Sequence, residues 1–138
     1  MSRFVFEQHT GRLWLYGTVT LGPYAAANFV DSASDGPWPA GIYTFAGHRD
    51  HPDDSADSAF GRHGIFLFTV PNRTGMGVHS GRASVPDGLG RTGPFHATMG
   101  CIRTTDDAMG QLITLHQTDP VQRIDVLTWR GITYGAST

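Results

Sequence analysis

Cysteine occurs once in the 138 residues, at Cys101, inside the stretch HATMGCIRTTDD (96–107). A lone thiol cannot form an internal disulfide, so it is either a small apolar filler or a reactive group. The neighbouring residues supply what a nucleophile needs. Gly100 permits a sharp turn that aims its own N–H and that of Cys101 at one point, where a carbonyl oxygen would become an anion. A helix opening shortly after the thiol, and Arg103 two residues on, both favour a thiolate, so the expectation is a partly exposed Cys101 with a lowered pKa. The base would be one of the seven histidines. His79, in GMGVHSG, ends a strand-like segment between small residues, which suits a ring presented into a cleft. His96 is nearer in sequence but lies in a Gly/Pro-rich loop with no evident orienting group. Spacing alone leaves the filler and the nucleophile readings both open.

These residues need elements to hold them. Eighteen glycines and eight prolines punctuate short apolar runs, which predicts a mainly β domain with one main helix. RFVFEQ alternates, HTGR turns and LWLYGTVT returns, giving an N-terminal hairpin. GPWPAGIYTFAG is a proline turn feeding a strand over 41–46, and HRDHPDDSADSAFGRH, which has no period, is a surface loop. GIFLFTV (64–70) is a strand buried on both faces, and MGVHS (76–80) is a short strand ending at the histidine. The helix starts at a capping box of Thr104 and Asp107 and sets Asp106 and Asp107 against its dipole. Its apolar face carries Ala108, Met109, Leu112, Ile113 and His116, and it ends near Asp119–Pro120. RIDVLTW and GITYG form a closing hairpin. No repeat or linker divides the chain, so a single domain over 1–138 is expected.

Composition removes several classes of function. All ten basic residues are arginine, which excludes P-loop and lysine Schiff-base chemistry. A net charge of −2 gives no basic footprint for nucleic acid or an anionic membrane. Eleven of the twelve acids are aspartate, and no spacing suggests a glycosidase pair. GLGRTG fits G-x-G-x-x-G at Gly88, Gly90 and Gly93, but Pro94 follows at once and no βαβ unit surrounds it. His48, Asp50 and His51 lack the spacing of a metal site, and DHPDDSADS lacks the glycine and glutamate of an EF-hand, so no metal or cofactor is expected. Trp14, Tyr16, Trp38, Tyr43, Phe66 and Phe68 are expected in the core or in cleft walls. Residues 1–17 have no apolar stretch of the kind a cleaved export signal needs, and no run reaches transmembrane length.

VHSG, followed at a distance by TMGCIR, resembles the YkuD-type L,D-transpeptidase domain. That family's pattern is a strand ending in His-Gly or His-Ser, a variable loop, then Ser/Thr-His-Gly-Cys and an Ile-Arg-like segment. GPWPAGIYTF is similar to the family's approach to its core strand. HGIFLFTVPNRTGMGVHSG and the TG-turn hairpin EQHTGRLW resemble its compact members, the type VI secretion effectors. The resemblance implies a YkuD-like fold of β-sandwich or barrel-like form, with Cys101 as nucleophile and His79 as general base. Ser80 would orient the imidazole through its carbonyl, and the Gly100 and Cys101 amides would form the oxyanion hole. Thr98, Met99 and Arg103 would face substrate, Arg103 as a substrate-carboxylate or loop-ordering contact. Two departures stand out: Met99 replaces the histidine of most of the family, and the loop from His79 to Cys101 is long.

The implied reaction is cofactor-free acyl transfer on peptidoglycan tetrapeptide stems, releasing terminal D-alanine and passing the acyl group to water, a D-amino acid or a second stem. Implied partners are the stems, an immunity protein and a component of a secretion apparatus. Synthesis in the cytoplasm and action in a target cell's periplasm would follow. Two alternatives stand beside it, a non-catalytic wall-binding module of the same fold and a cysteine amidase or peptidase cutting elsewhere in the stem.

Overall fold

Period-two alternation is what builds the first hairpin. In the computed structural model, which describes residues 1–30, 35–51 and 55–128, β1 (Ser2–Glu7) sends Phe4 and Phe6 inward and Arg3 and Glu7 outward. It pairs antiparallel with β2 (Arg12–Tyr16), whose Leu13 and Leu15 are likewise fully buried. The expected hairpin is therefore present. Beyond it the chain forms a further strand that the sequence reading did not anticipate, β3 (Thr20–Ala25), antiparallel to β2.

The central strand is longer than expected. β4 runs over Gly41–Arg49, so His48 and Arg49 belong to it and not to the following loop. Its first half pairs with β8 (Val121–Leu127) and its second half with β5 (Ile65–Phe68), with a register shift between Phe45 and Gly47. Phe66 and Phe68 of β5 are buried while Leu67 is half-buried, so this strand is less enclosed than its continuous apolar run suggests. β6 (Gly77–His79) pairs with β5, and β7 (Ile102–Arg103) pairs with β6 in parallel. The expected final hairpin has its first strand in β8; GITYG (131–135) lies outside the described residues.

The eight strands make one mixed sheet in the order β3-β2-β1-β8-β4-β5-β6-β7. It curls until its ends meet. Just past β3, Ala27 and Arg103 exchange both backbone hydrogen bonds, at 3.0 and 2.8 Å. The barrel-like expectation thus takes the form of one curled sheet, not two stacked ones. Inside it lie Phe4, Phe66, Phe68, Trp38, Val78 and Ile102, with the Phe4 and Phe66 rings edge-to-face at 5.1 Å.

The only helix of more than one turn among the described residues, α1 (Asp106–Thr118), packs Ala108, Met109 and Leu112 into the core, all fully buried. Truncating Leu112 to alanine would cost about 2–5 kcal/mol. Its N-cap is Thr105, one residue later than expected: the Thr105 hydroxyl accepts from the Ala108 N–H at 3.1 Å. Thr104 is unavailable for that role because its amide donates to the His79 carbonyl and its hydroxyl to the Ala25 carbonyl, which keeps the backbone extended one residue longer. Among the described residues no helix is long and apolar enough to cross a membrane.

Candidate active site

The parallel pair β6–β7 decides which side chains meet. Val78 faces Ile102 and His79 faces Arg103, so one step back along the same register Cys101 lies across from Gly77. Side chains on a strand alternate, so His79 and Cys101 share one face as diagonal neighbours while Val78 and Ile102 point into the core. Gly77 leaves the space beside the sulfur free of a side chain. It also has no choice of residue, because a Cβ there would come within 2.2 Å of the Phe66 carbonyl oxygen.

His79 is held by its own chain. Its Nδ1 is 2.7 Å from the Ser80 carbonyl oxygen, which can only accept, so Nδ1 carries the proton and Nε2 keeps the lone pair. This is the contact expected of Ser80. The Ser80 hydroxyl has a separate task, donating to Asp106 Oδ1 at the start of α1, while Arg62 binds the same carboxylate through its amide and its guanidinium. Asp106 was expected only as a dipole complement; the tie to Ser80 depends on a contact 26 residues away in sequence, which no local pattern signals.

The Phe60 ring covers His79, with centroids 4.6 Å apart. The imidazole is 3 % exposed, and desolvation lowers its pKa to about 3, reinforced by the nearby positive charge of Arg103. It is neutral throughout the physiological range.

Cys101 does not match the expectation of a partly exposed thiol with a lowered pKa. It is 8 % exposed, and burial pushes its pKa up; the Gly77 amide and Arg103 pull the other way without prevailing. The thiol donates to the Gly75 carbonyl at 3.4 Å. The turn bearing Gly75 is held against residues 35–37 by Arg73, whose guanidinium donates to the Asp35, Gly36 and Pro37 carbonyls. The helix start brings no relief to a thiolate here, since Asp106 and Asp107 fill its first turn. The resting pair is therefore a neutral thiol beside a neutral imidazole.

The loop before the nucleophile is held by Thr98. Its hydroxyl donates to the Cys101 carbonyl at 2.7 Å and accepts from the Gly100 amide at 3.0 Å. Thr98 is thus a buried clasp, and the Gly100 N–H is already engaged, which leaves the oxyanion expectation resting on the Cys101 amide. Gly100 itself has φ of +121°, a conformation that excludes side chains, with Met76 Sδ 3.2 Å from where a Cβ would stand. Met99 is 68 % exposed, the one member of the expected substrate group that faces solvent.

Arg103 is buried, and its donors are spent on main-chain carbonyls: Nε on Ser80, one terminal nitrogen on His96 and Ala97, the other on Ala59. In this geometry it orders three loops around the site. One consequence concerns His96, which does have an orienting group after all. Its Nδ1 lies 2.8 Å from the Ala97 carbonyl, the same arrangement as His79 with Ser80, and Arg103 binds both of those carbonyls.

Among the described residues, neither His79 nor Cys101 lines any of the five best-formed surface grooves. The largest of these five, of about 750 Å3, runs along α1 between Leu21, His63, Gly110 and Leu115. Among the described residues no group of three histidine, cysteine or acidic side chains could hold a metal ion. Compared with known protein families, with curated proteins and with solved structures, the chain matches none.

Proposed function

We propose that the chain is a YkuD-like cysteine acyltransferase that removes the terminal D-alanine of peptidoglycan tetrapeptide stems. One observation carries the reading: His79 and Cys101 stand on one face of adjacent parallel strands, with the imidazole fixed so that Nε2 is the unprotonated nitrogen. Reaction begins when the thiol turns from the Gly75 carbonyl to His79 Nε2 and gives up its proton as sulfur attacks the stem carbonyl. Collapse of the tetrahedral intermediate breaks the bond to D-alanine, whose amine takes the proton back from Nε2, and a thioester remains. Water then releases a tripeptide, or an amine acceptor forms a new amide. The same reading puts the protein to work in the periplasm of a target cell, delivered by a secretion apparatus and neutralised in the producer by an immunity protein.

Mass spectrometry of tetrapeptide muropeptides after incubation with the pure protein tests the reaction. Loss of one D-alanine mass, absent with Cys101→Ala, is the expected result; cleavage of another amide, or equal activity of the variant, sinks the reading. The closed geometry also favours a second one. A thiol and an imidazole both buried, with the sulfur hydrogen-bonded away from the base, suit a wall-binding module without turnover. Stem binding with unchanged masses would decide for it.

A further inference from the structure

The core occupies one face of the curled sheet, and among the described residues the other face, along β2, β1, β8 and the first half of β4, is covered only at its centre, where Val5 and Asp125 are buried. There Arg3, Arg123, Thr44 and Ile42 are exposed, yet the same face carries two half-buried aromatic rings, Trp14 and Tyr16. Register places them: Val5 lies between Trp14 and Asp125, and Arg3 lies between Tyr16 and Arg123. The two ring planes are within 21° of each other, with centroids 6.4 Å apart, and they line a groove of about 430 Å3 together with Arg3, Glu7 and Asp125. Among the described residues neither ring belongs to the hydrophobic core, and two aromatic rings side by side at the surface form a wall on which a ligand can stack.

We propose that this groove binds a neutral oligosaccharide. A sugar ring presents an apolar C–H face and a rim of hydroxyls, so it needs an aromatic wall with fixed planar donors and a carboxylate beside it. The groove has these. Asp125 anchors Arg3 at 3.2 Å and Arg123 at 2.9 Å, which holds both guanidinium groups in place with N–H groups to spare, and Glu7, whose Oε1 accepts from the Thr10 hydroxyl at 2.6 Å, has its second oxygen left as an acceptor. Arg3 also lies over the Tyr16 ring, 5.3 Å from its centroid. Charge selects against other polymers. Including Arg12, which faces Glu7 in the register, three arginines stand against two carboxylates, too small an excess to hold a phosphate backbone.

Fluorescence titration and amide chemical shifts of the full chain with a β-linked N-acetylglucosamine tetramer test the proposal. Saturable binding with shifts on β1, β2 and β8 is expected, weakened roughly tenfold or more by Trp14→Ala and largely retained by Trp14→Phe. Because Trp14 is half-buried, Tyr16→Ala serves as a second variant, and urea midpoints establish that each is folded. No saturation up to about 10 mM in the folded protein, binding unchanged in both alanine variants, tighter binding of a single-stranded oligonucleotide, or self-association through this face on sedimentation would each overturn it. The site lies on strands apart from Cys101, so Cys101→Ala should bind the tetramer normally. Failure to process stems leaves this result standing, and failure to bind the sugar leaves the stem reaction standing.

Discussion

The burial of His79 has a consequence in the pH dependence of stability. In the folded chain the imidazole protonates only near pH 3, through desolvation, whereas an unfolded histidine does so near 6.5. Between those values the unfolded chain holds a proton that the folded chain refuses, so this contribution is fully present above the unfolded value and is lost as pH falls. From about pH 7.5 to about pH 4.5 the loss is about 2.7 kcal/mol, with a limiting slope of about 1.4 kcal/mol per pH unit. Asp57, Asp87 and Asp119, whose pKa values are lowered, start to release their own stabilisation only near the ordinary carboxylate value, below that range. Urea unfolding across the window, compared between the natural chain and His79→Gln, isolates the effect. His116, also depressed by burial, is common to both proteins and drops out of the difference. The variant should be less stable at neutral pH but lose about 2.7 kcal/mol less on acidification. Equal slopes would mean that water reaches the ring in the folded state, and the closed site described above would then be wrong.

Native Cys101 should react with iodoacetamide more slowly than the urea-unfolded chain, with its inflection above that of a free thiol; fast labelling that titrates below it would restore the acidic thiol expected from the sequence. His79→Ala should lower stem turnover by about 10²-fold or more and His96→Ala far less. The reverse order would make His96, with its similarly fixed Nδ1, the base. Ser80→Ala keeps the orienting carbonyl and so should keep turnover within a few-fold, while the lost bond to Asp106 costs about 1–3 kcal/mol in urea unfolding. A collapse of turnover in a folded Ser80→Ala would show that the hydroxyl takes part in chemistry. Thr105→Ala should cost about 1 kcal/mol by removing the cap of α1, read as a lower urea midpoint; no change would return the cap to Thr104.

Much of the architecture was legible because local pattern and final environment agree. RFVFEQ alternates and its Phe4 and Phe6 are fully buried; Ala108, Met109 and Leu112 recur at helical spacing and fill the core. What escaped is long-range. β7 has only two residues, and it is a strand because β6 lies on one side and Ala27 bridges it on the other, partners 24 and 76 residues away. β4 bends from β8 to β5, and no local signal marks the point at which a strand changes partner.

The site divides in the same way. Residue types and spacing leave Cys101 and His79 as candidates among other readings, and the pairing of β6 with β7 gives them a common face. Their electrostatics were misread because the sign of a pKa shift depends on solvent, which spacing does not encode. Arg103 shows this most clearly. Two residues from a thiol, it reads as a positive charge that would stabilise an anion or meet a substrate carboxylate. In the fold it is buried among the carbonyls of Ala59, Ser80, His96 and Ala97, and its charge is balanced by their dipoles. Its removal would release both carbonyls that orient histidines, and with them the loop on which Cys101 stands. The arginine acts on the thiol mainly through the backbone it gathers, and an alanine there should disturb both imidazole tautomers before it changes the charge at sulfur.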